Sequence, residues 1–386
     1  MRPDPRRVTL ASLASMVAAI APVHLTGALA PDIQAELGFG DAVLGGLIAC
    51  FFAVSAATTP FGGRLADRVG PSRALRAAAL LSVSASLAVA VVVDSWPVLV
   101  AVLAVAAVAN AVTQPGNNAF IAAGVPAHRR GLALGVKQAA IPTSTALAGL
   151  ALPTLAAAWG WRAAFWAAAV LAALVALGLP DVGRPRQAAD AVPTRWRVSA
   201  PVLWLALGSG FGAAAVASIG GFLVRSARDA GFSEAGAGAL QVAGSVALIA
   251  ARVGWGGLMD RRPLDRFAFA AGLLAVGSLG FPLLASGRPS LMVPGALVAF
   301  AAAWSWPGVV HLGAVEGHPG DPGAATGVVQ AGMFWGAMTG PAVFGLVAEH
   351  GGFAWAWTTS WAWAAVAAVL VAAAGRRQAA RTPATS

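Results

Sequence analysis

Two basic residues lie within long apolar runs, where a charge is energetically unfavourable. Lys137 is the single lysine of this 386-residue chain, and it lies within a long apolar run, as Arg252 does within another. A charge in hydrocarbon costs at least about 2.5–3.5 kcal/mol, so such residues normally face water or a partner. Lys137 follows Arg129 by eight residues and Arg252 precedes Asp260 by eight, which predicts equal depths, ~12 Å above the inner edge. Two cations at one depth facing a shared cavity predict a site for a small anion, because arginine and lysine bind carboxylates through charge-assisted hydrogen bonds.

Both cations also have plainer interpretations. Lys137 could extend its stem to the inner headgroups. Arg252 could hydrogen-bond to backbone carbonyl groups or to Asp260. The sequence leaves these alternatives open.

Further polar residues could complete a substrate site within the apolar runs. Glutamines are as often packing contacts between helices as ligands. A kink at Pro307 could aim an indole at a cavity. His24 is the one candidate proton-carrying group inside a run, although a lone histidine is more often a packing residue. The residues that we predict to line the site with Lys137 and Arg252 are Gln138, Gln330, Asn118, Gln114, Trp306 and His24.

The elements that must position these residues are membrane-spanning helices. Hydrophobic residues make up 58% of the chain and charged residues 10%, and the mean hydropathy is +0.75. Segments of about 20 apolar residues, the length that crosses a bilayer, recur twelve times, and all fifteen acidic residues fall in loops or at segment ends. The predicted spans are roughly 8–30, 42–62, 74–93, 97–119, 131–155, 161–179, 200–224, 235–257, 267–285, 291–312, 326–348 and 354–374.

The basic residues predict the orientation of these spans. With a cytoplasmic N-terminus, most of the 25 basic residues fall in inner segments, as positive charges near span ends do. We therefore predict that both termini are cytoplasmic. The net charge of +10 reflects topology and contact with anionic headgroups rather than nucleic-acid binding, since no basic run is interleaved with aromatic residues. The four basic residues of the outer segments are Arg162, Arg225, Arg228 and Arg288.

The two halves of the chain repeat each other. Gly135-Val-Lys-Gln-Ala139 returns as Gly327-Val-Val-Gln-Ala331, and Gly63-Arg-Leu-Ala-Asp-Arg68 as Gly256-Gly-Leu-Met-Asp-Arg261. Such a repeat predicts an all-α membrane protein of twelve transmembrane helices in two pseudo-symmetric six-helix bundles. The predicted organisation is a bundle over 1–179, a cytoplasmic linker over 180–199, a bundle over 200–375 and a tail over 376–386.

The segment from Gly63 to Arg73 resembles the G-x-L-x-D-R-x-G-R-R signature of the major facilitator superfamily, with Pro71-Ser72 where the family has its first basic residue after the second glycine. The resemblance covers essentially the whole chain and implies a cytoplasmic gate, in which Asp67 meets the start of span 11 near Ala324 and Asp260 meets the start of span 5 near Gly131. Asp67 and Arg68 could instead be solvated topology charges. The predicted gating residues are Gly63, Asp67, Arg68, Gly70, Arg73, Gly256, Asp260 and Arg261.

Within that superfamily, Arg252 and the residues to Arg261 resemble the R-x-x-x-G-x-x-x-D-R pattern of oxalate/formate and monocarboxylate carriers, and Gly135 to Gln138 resembles the cyanate-transporter-like branch. The resemblance implies a monomeric secondary transporter of the bacterial inner membrane, working by alternating access on a small anion, with no cofactor and with the bilayer as its other partner. A proton-coupled exporter of drugs or metabolites is the alternative, disfavoured by the lack of acids inside the spans. A membrane enzyme would need a nucleophile close to its base, or a set of metal ligands, and the sequence shows no such cluster. A non-transporting sensor would usually carry a soluble output domain.

Overall fold

The computed structural model describes residues 3–126, 129–183, 199–262, 264–317 and 322–379. These residues form helices and loops, with no strand among them, which confirms the predicted all-α class. The helices are α1 (Pro5–Ala28), α2 (Ala30–Leu37), α3 (Asp41–Val69), α4 (Pro71–Val91), α5 (Trp96–Gly124), α6 (Arg130–Gln138), α7 (Ala140–Ala151), α8 (Ala157–Trp159), α9 (Arg162–Gly178), α10 (Ala200–Asp229), α11 (Glu234–Arg261), α12 (Arg266–Ser278), α13 (Gly280–Ala285), α14 (Pro289–Val298), α15 (Pro307–Gly317), α16 (Pro322–Gly351) and α17 (Phe353–Ala379), with π-helical turns at Leu152–Ala156 and Ala299–Ala303.

The predicted spans coincide with these helices. In the part of the chain that the structure describes, eleven helical segments are long and apolar enough to cross a membrane. The remaining predicted span, the sixth at 161–179, coincides with the shorter apolar helix α9, which has 17 residues. The chain is a multi-pass membrane protein.

Three spans are interrupted, each at the residue four positions before a proline. Proline lacks the N–H that would bond to the carbonyl of that residue, and its ring clashes with it. The fifth span ends its first helix at Gln138, before Pro142, and the ninth ends α12 at Ser278, before Pro282. The tenth span leaves its π-helical turn after Ala303, before Pro307.

The chain divides into two compact units. Unit 1 comprises residues 1–40, 50–192 and 234–242, and unit 2 comprises 41–49, 193–233 and 243–386. In unit 1, α1 packs against α5, α7 and α9, and α4 packs against α5 and α9. In unit 2, α10 packs against α16 and α17, and α12 packs against α15 and α17.

Glycines at a spacing of four bring α10 and α16 into backbone contact. A methyl group added to Gly336 would overlap the carbonyl oxygen of Gly210, and one added to Gly332 would overlap that of Ala206. Gly340 meets the carbonyl of Ala214 in the same way. Small residues at this spacing let membrane helices approach closely enough for backbone contact.

The sequence repeat is visible in the geometry of both units. Gly160 and Gly352, which correspond in the repeat, have φ values of +79° and +82° at equivalent helix ends. In unit 2, a methyl group on Gly45 would overlap the carbonyl oxygen of Pro341. In unit 1, one on Gly238 would overlap that of Gly149. Since only glycine permits these contacts, the two halves use the same residue type at the same crossing.

The outer face of α9 is apolar, as expected of a helix that faces lipid. Val170, Leu174 and Leu177, spaced as one helical face, are 57%, 63% and 84% exposed. Its buried face carries small residues such as Ala168 and Ala172. Large apolar residues outside and small ones inside are the pattern of a helix that packs tightly within lipid.

Candidate functional site

Lys137 lies at the end of α6 and is bonded within unit 1. Its side chain is 5% exposed, and Nζ lies 2.8 Å from Oδ1 of Asn118 and 3.4 Å from the carbonyl oxygen of Gln114, both on α5. The ammonium group therefore donates to neutral partners on a neighbouring helix. Asn118 is itself exposed, whereas Lys137 is buried behind it.

The other asparagines of α5 bind neighbouring helices. Asn117 Nδ2 donates to Ser15 Oγ of α1 at 3.0 Å, and Asn110 Nδ2 donates to Ser55 Oγ of α3 at 3.0 Å. Both asparagines are buried. They hold helices together, whereas Asn118, which accepts the hydrogen bond from the buried Lys137, is exposed.

His24 is buried in α1 and contacts the fifth span. Its Nδ1 lies 2.9 Å from Ser144 Oγ of α7, and its side chain is 7% exposed. Pro22 and Thr26 flank it, and Thr26 Oγ1 bonds back to the Pro22 carbonyl. His24 is thus an ionisable group inside a span with a hydroxyl partner.

Arg252 lies in α11 and holds the interrupted tenth span. Its Nη2 donates to the carbonyl oxygen of Trp304 at 3.1 Å. That carbonyl lies three residues before the helix resumes at Pro307. The sequence left a backbone partner as the alternative interpretation of Arg252, and the structure contains that contact.

The remaining predicted site residues are placed differently from one another. Gln138 is exposed and Gln330 is half-buried. Trp306 is fully buried in the hydrophobic core of unit 2, where its indole packs against Gly212. The indole of Trp306 thus lies in the core of unit 2 in this structure, and its predicted role in binding a substrate stays a prediction. Lys137 and Arg252 belong to different units, and their common site stays a prediction.

The predicted gating loop has one residue with a conformational requirement. Gly70 connects α3 to α4 at φ +90°, which favours glycine. The close approach of α3 to α5 is at Gly62, where a methyl group would stand 2.6 Å from the Ala111 carbonyl oxygen, whereas one on Gly63 meets only an ordinary contact.

The charged members of that loop are open to solvent. Asp67, Arg68 and Arg73 are exposed. Gly256, Asp260 and Arg261, and the predicted contact positions Gly131 and Ala324, are residues whose side chains the structure does not describe. The latch between the two loops and the opposite helix starts stays a prediction.

The structure contains two ion-pair clusters at predicted outer loops that were not predicted from the sequence. In unit 2, Arg225 Nε lies 3.4 Å from Asp41 Oδ1, and Glu349 Oε2 accepts from the Ala42 N–H at 2.7 Å. The carboxylate of Glu349 thus caps α3, a favourable place for negative charge. The contributing residues are far apart in sequence, so only the grouping of acids and arginines at outer loop ends could have indicated them.

The second cluster is in unit 1 and centres on Glu36. Its carboxylate accepts hydrogen bonds from the indole of Trp161 and from Arg162, and Arg162 also donates to the Val93 carbonyl. The indole hydrogen bond, followed by that of Arg162, holds the pKa of the Glu36 carboxyl below its usual range. Glu36 therefore remains ionised and joins α2 to the start of α9.

The described residues contain no group of three or more histidine, cysteine or acidic side chains that could hold a metal ion. The spans instead bring together hydrogen-bond donors and acceptors. In unit 1, Lys137 meets Asn118 of the neighbouring helix, and in unit 2, Arg252 meets a backbone carbonyl at the break of the tenth span.

Comparisons with known proteins agree with this arrangement. A family model described as Major Facilitator Superfamily matches residues 10–315. A chloramphenicol resistance protein from Streptomyces lividans is 33% identical over 339 residues, covering 83% of this chain and 84% of its own.

Solved structures share the fold at low identity. A D-xylose-proton symporter superposes with a TM-score of 0.78 at 18% identity, covering 95% of this chain and 96% of its own. A bacterial homologue of the human lysosomal transporter Spinster, inward-facing and occupied, superposes with a TM-score of 0.75 at 16% identity, covering 97% and 98%. These likenesses show the fold alone.

Proposed function

We propose a cargo and a direction of transport for this chain. The chain belongs to the Major Facilitator Superfamily and is a membrane transporter of a small molecule. In our proposal it exports small neutral amphipathic compounds of the chloramphenicol type by alternating access. The observation that carries the proposal is the 33% identity to a chloramphenicol resistance protein over 83% of the chain. An identity of that extent covers helices of both halves rather than one motif.

The geometry in unit 1 suits a neutral guest. Lys137 already donates to an amide oxygen and a backbone carbonyl, and no acidic residue lies inside a span. A neutral compound with hydroxyl, amide or nitro oxygens can accept a further hydrogen bond from the ammonium group, while the Asn118 amide supplies a second contact. We assign Lys137, Asn118 and Gln114 to this site, with Gln138 and Gln330 as candidate flanking residues.

A second candidate is the small anion that the sequence predicts, as in the cyanate, formate or monocarboxylate carriers. The observation in its favour is that Lys137 donates to uncharged partners, the Asn118 amide and the Gln114 carbonyl group. Neutral acceptors satisfy hydrogen bonds without cancelling charge, and an anion would do both.

The remaining features of the proposal follow from the sequence. Basic residues concentrate in the segments that the topology makes cytoplasmic, so we place both termini inside. The protein is proposed to work as a monomer in a bacterial inner membrane, and the alanine-, glycine- and arginine-rich composition with one lysine suggests that source.

Transport by purified protein tests the cargo. We expect proteoliposomes to move radiolabelled chloramphenicol, and cells expressing the protein to accumulate less of it than cells with empty vector. Formate, cyanate and acetate are measured in the same vesicles. Movement of those anions without movement of chloramphenicol would replace the first proposal by the second, and folded protein that moves neither would reject both.

We further propose that His24 carries the coupled proton. α5 and α7, which pack extensively on α1, contain no ionisable side chain, so the imidazole has Ser144 as its described polar partner there. We expect His24→Gln, which keeps a hydrogen-bonding group, to abolish drug accumulation driven by a pH gradient while drug-for-drug exchange continues. A pH-sensitive dye inside the vesicles reports the proton. If His24→Gln still moves protons with drug, another group carries them.

A further inference from the structure

The tenth span is built around a break that releases backbone groups. α14 ends at Val298, a π-helical turn covers Ala299–Ala303, and helix resumes at Pro307. Trp304 N bonds to the carbonyl of Ala299, five residues back. Such turns leave carbonyl groups without their usual helical partners. Between the turn and Pro307, backbone and side-chain oxygens therefore need donors from elsewhere.

One face of α11 supplies these donors. Arg252 donates to the Trp304 carbonyl at 3.1 Å. Trp255, three residues on and so on the same helical face, places its Nε1 3.2 Å from Ser305 Oγ and 3.5 Å from the Ala301 carbonyl. The two side chains contact consecutive residues of the interrupted segment.

Arg252 and Trp255 together form a clamp on the interrupted segment, and the packing around them fixes its position. The Trp255 ring meets Phe269 of α12 edge to face, with centroids 5.6 Å apart. Phe300, inside the π-helical turn, lies over Gly244 of α11, where a methyl group would stand 2.5 Å from its ring. The turn is thus held by α11 at two levels, through a glycine contact and through hydrogen bonds.

We infer that Arg252 and Trp255 are positioning residues that hold the broken segment 299–306 in one of two arrangements during transport. A helix that continued through this segment would leave only the Ala303 carbonyl without a backbone donor, opposite Pro307, whereas the broken form also frees the Trp304 carbonyl that Arg252 meets. Loss of the clamp therefore shifts the balance between the two forms and slows the cycle, without removing a contact to cargo. Arg252 acts here through the backbone of the tenth span and not as a ligand.

Three variants separate this role from substrate binding. Arg252→Met keeps the length and removes the donors, Arg252→Lys keeps a charged donor, and Trp255→Phe removes only the indole N–H while keeping the ring on Phe269. We expect Arg252→Met and Trp255→Phe each to lower the turnover of chloramphenicol by about threefold to tenfold, the range for one hydrogen bond between membrane helices. KM should stay unchanged, and Arg252→Lys should restore most of the turnover.

Hydrogen exchange gives a readout that needs no cargo. Amides of residues 299–308 in the detergent-solubilised protein should exchange about tenfold faster in Arg252→Met and Trp255→Phe, because the clamp no longer resists local opening, while amides of α4 keep their wild-type rate. The transport measurement rests on the proposed function, whereas the hydrogen-exchange measurement does not. A failure of the proposed function can therefore be distinguished from a failure of this inference. Wild-type exchange at 299–308 in both variants, or a raised KM in Arg252→Met alone, would overturn the inference.

Discussion

Gly336→Ala is expected to destabilise the protein more than any other single methyl group discussed here. The added carbon would overlap the carbonyl oxygen of Gly210 and stand 2.8 Å from the Ala214 nitrogen. Both obstacles are backbone atoms of α10, so no side chain can rotate away and the two helices must separate. Overpacking of this kind costs about 1–3 kcal/mol, and a rigid backbone contact belongs at the upper end. Thermal unfolding in detergent, followed by the intrinsic fluorescence of the tryptophans, measures the loss.

Gly327→Ala is the matched control, because it lies on the same helix and a methyl group there meets nothing within 4 Å. Alanine is a better helix former than glycine by up to about 1 kcal/mol, so this variant should melt at or slightly above the wild-type temperature. The two substitutions are chemically identical and should move stability in opposite directions. Equal melting temperatures for both variants would show that the contact between α10 and α16 is not tight.

The spans and the repeat could be predicted from sequence because both depend on local properties. Each span is a run of apolar residues of bilayer length, and the corresponding glycines, such as Gly160 and Gly352, recur at a fixed offset. Both take the left-handed conformation that favours glycine. The interruptions at Gln138 and Ser278 also had a local signal in the prolines four residues later, which a prediction by average hydropathy ignores.

Partners of polar groups could not be predicted, because they depend on which faces of distant helices meet. Asn110 and Asn117 lie on one helical face with Gln114, but the structure places them against Ser55 and Ser15 of other helices. Arg252 had several equally reasonable partners in the sequence. The carbonyl that it meets is available only because the tenth span is broken there.

Replacement of Lys137 should give the largest loss of transport. Lys137 is 5% exposed, and its ammonium group contacts Asn118, which is exposed. A charge-assisted hydrogen bond contributes about 1.5–3 kcal/mol, so loss of one contact with cargo lowers kcat/KM by roughly 10- to 150-fold. We expect Lys137→Met, of similar length, to show this loss for chloramphenicol efflux while melting close to the wild type.

Arg130→Met is the matched control for a change of charge on the same helix. Arg130 donates to the Val125 and Ala122 carbonyls near the start of α6, seven residues before Lys137. This variant loses a cation and its backbone contacts outside the proposed site, so transport should stay near the wild-type rate. Comparable losses in Arg130→Met and Lys137→Met would assign both effects to the packing of α6 and remove Lys137 from the site.

Lys137→Gln then decides between the two cargoes. Glutamine keeps N–H donors and removes the charge, so a neutral cargo should retain a substantial part of its transport, well above that of Lys137→Met. An anionic cargo depends on the charge itself and should be lost equally in Lys137→Gln and Lys137→Met, while Lys137→Arg preserves it. Because each cargo gives a different order of the three variants, initial rates for chloramphenicol and formate in the same proteoliposomes discriminate between them, even if the protein moves both.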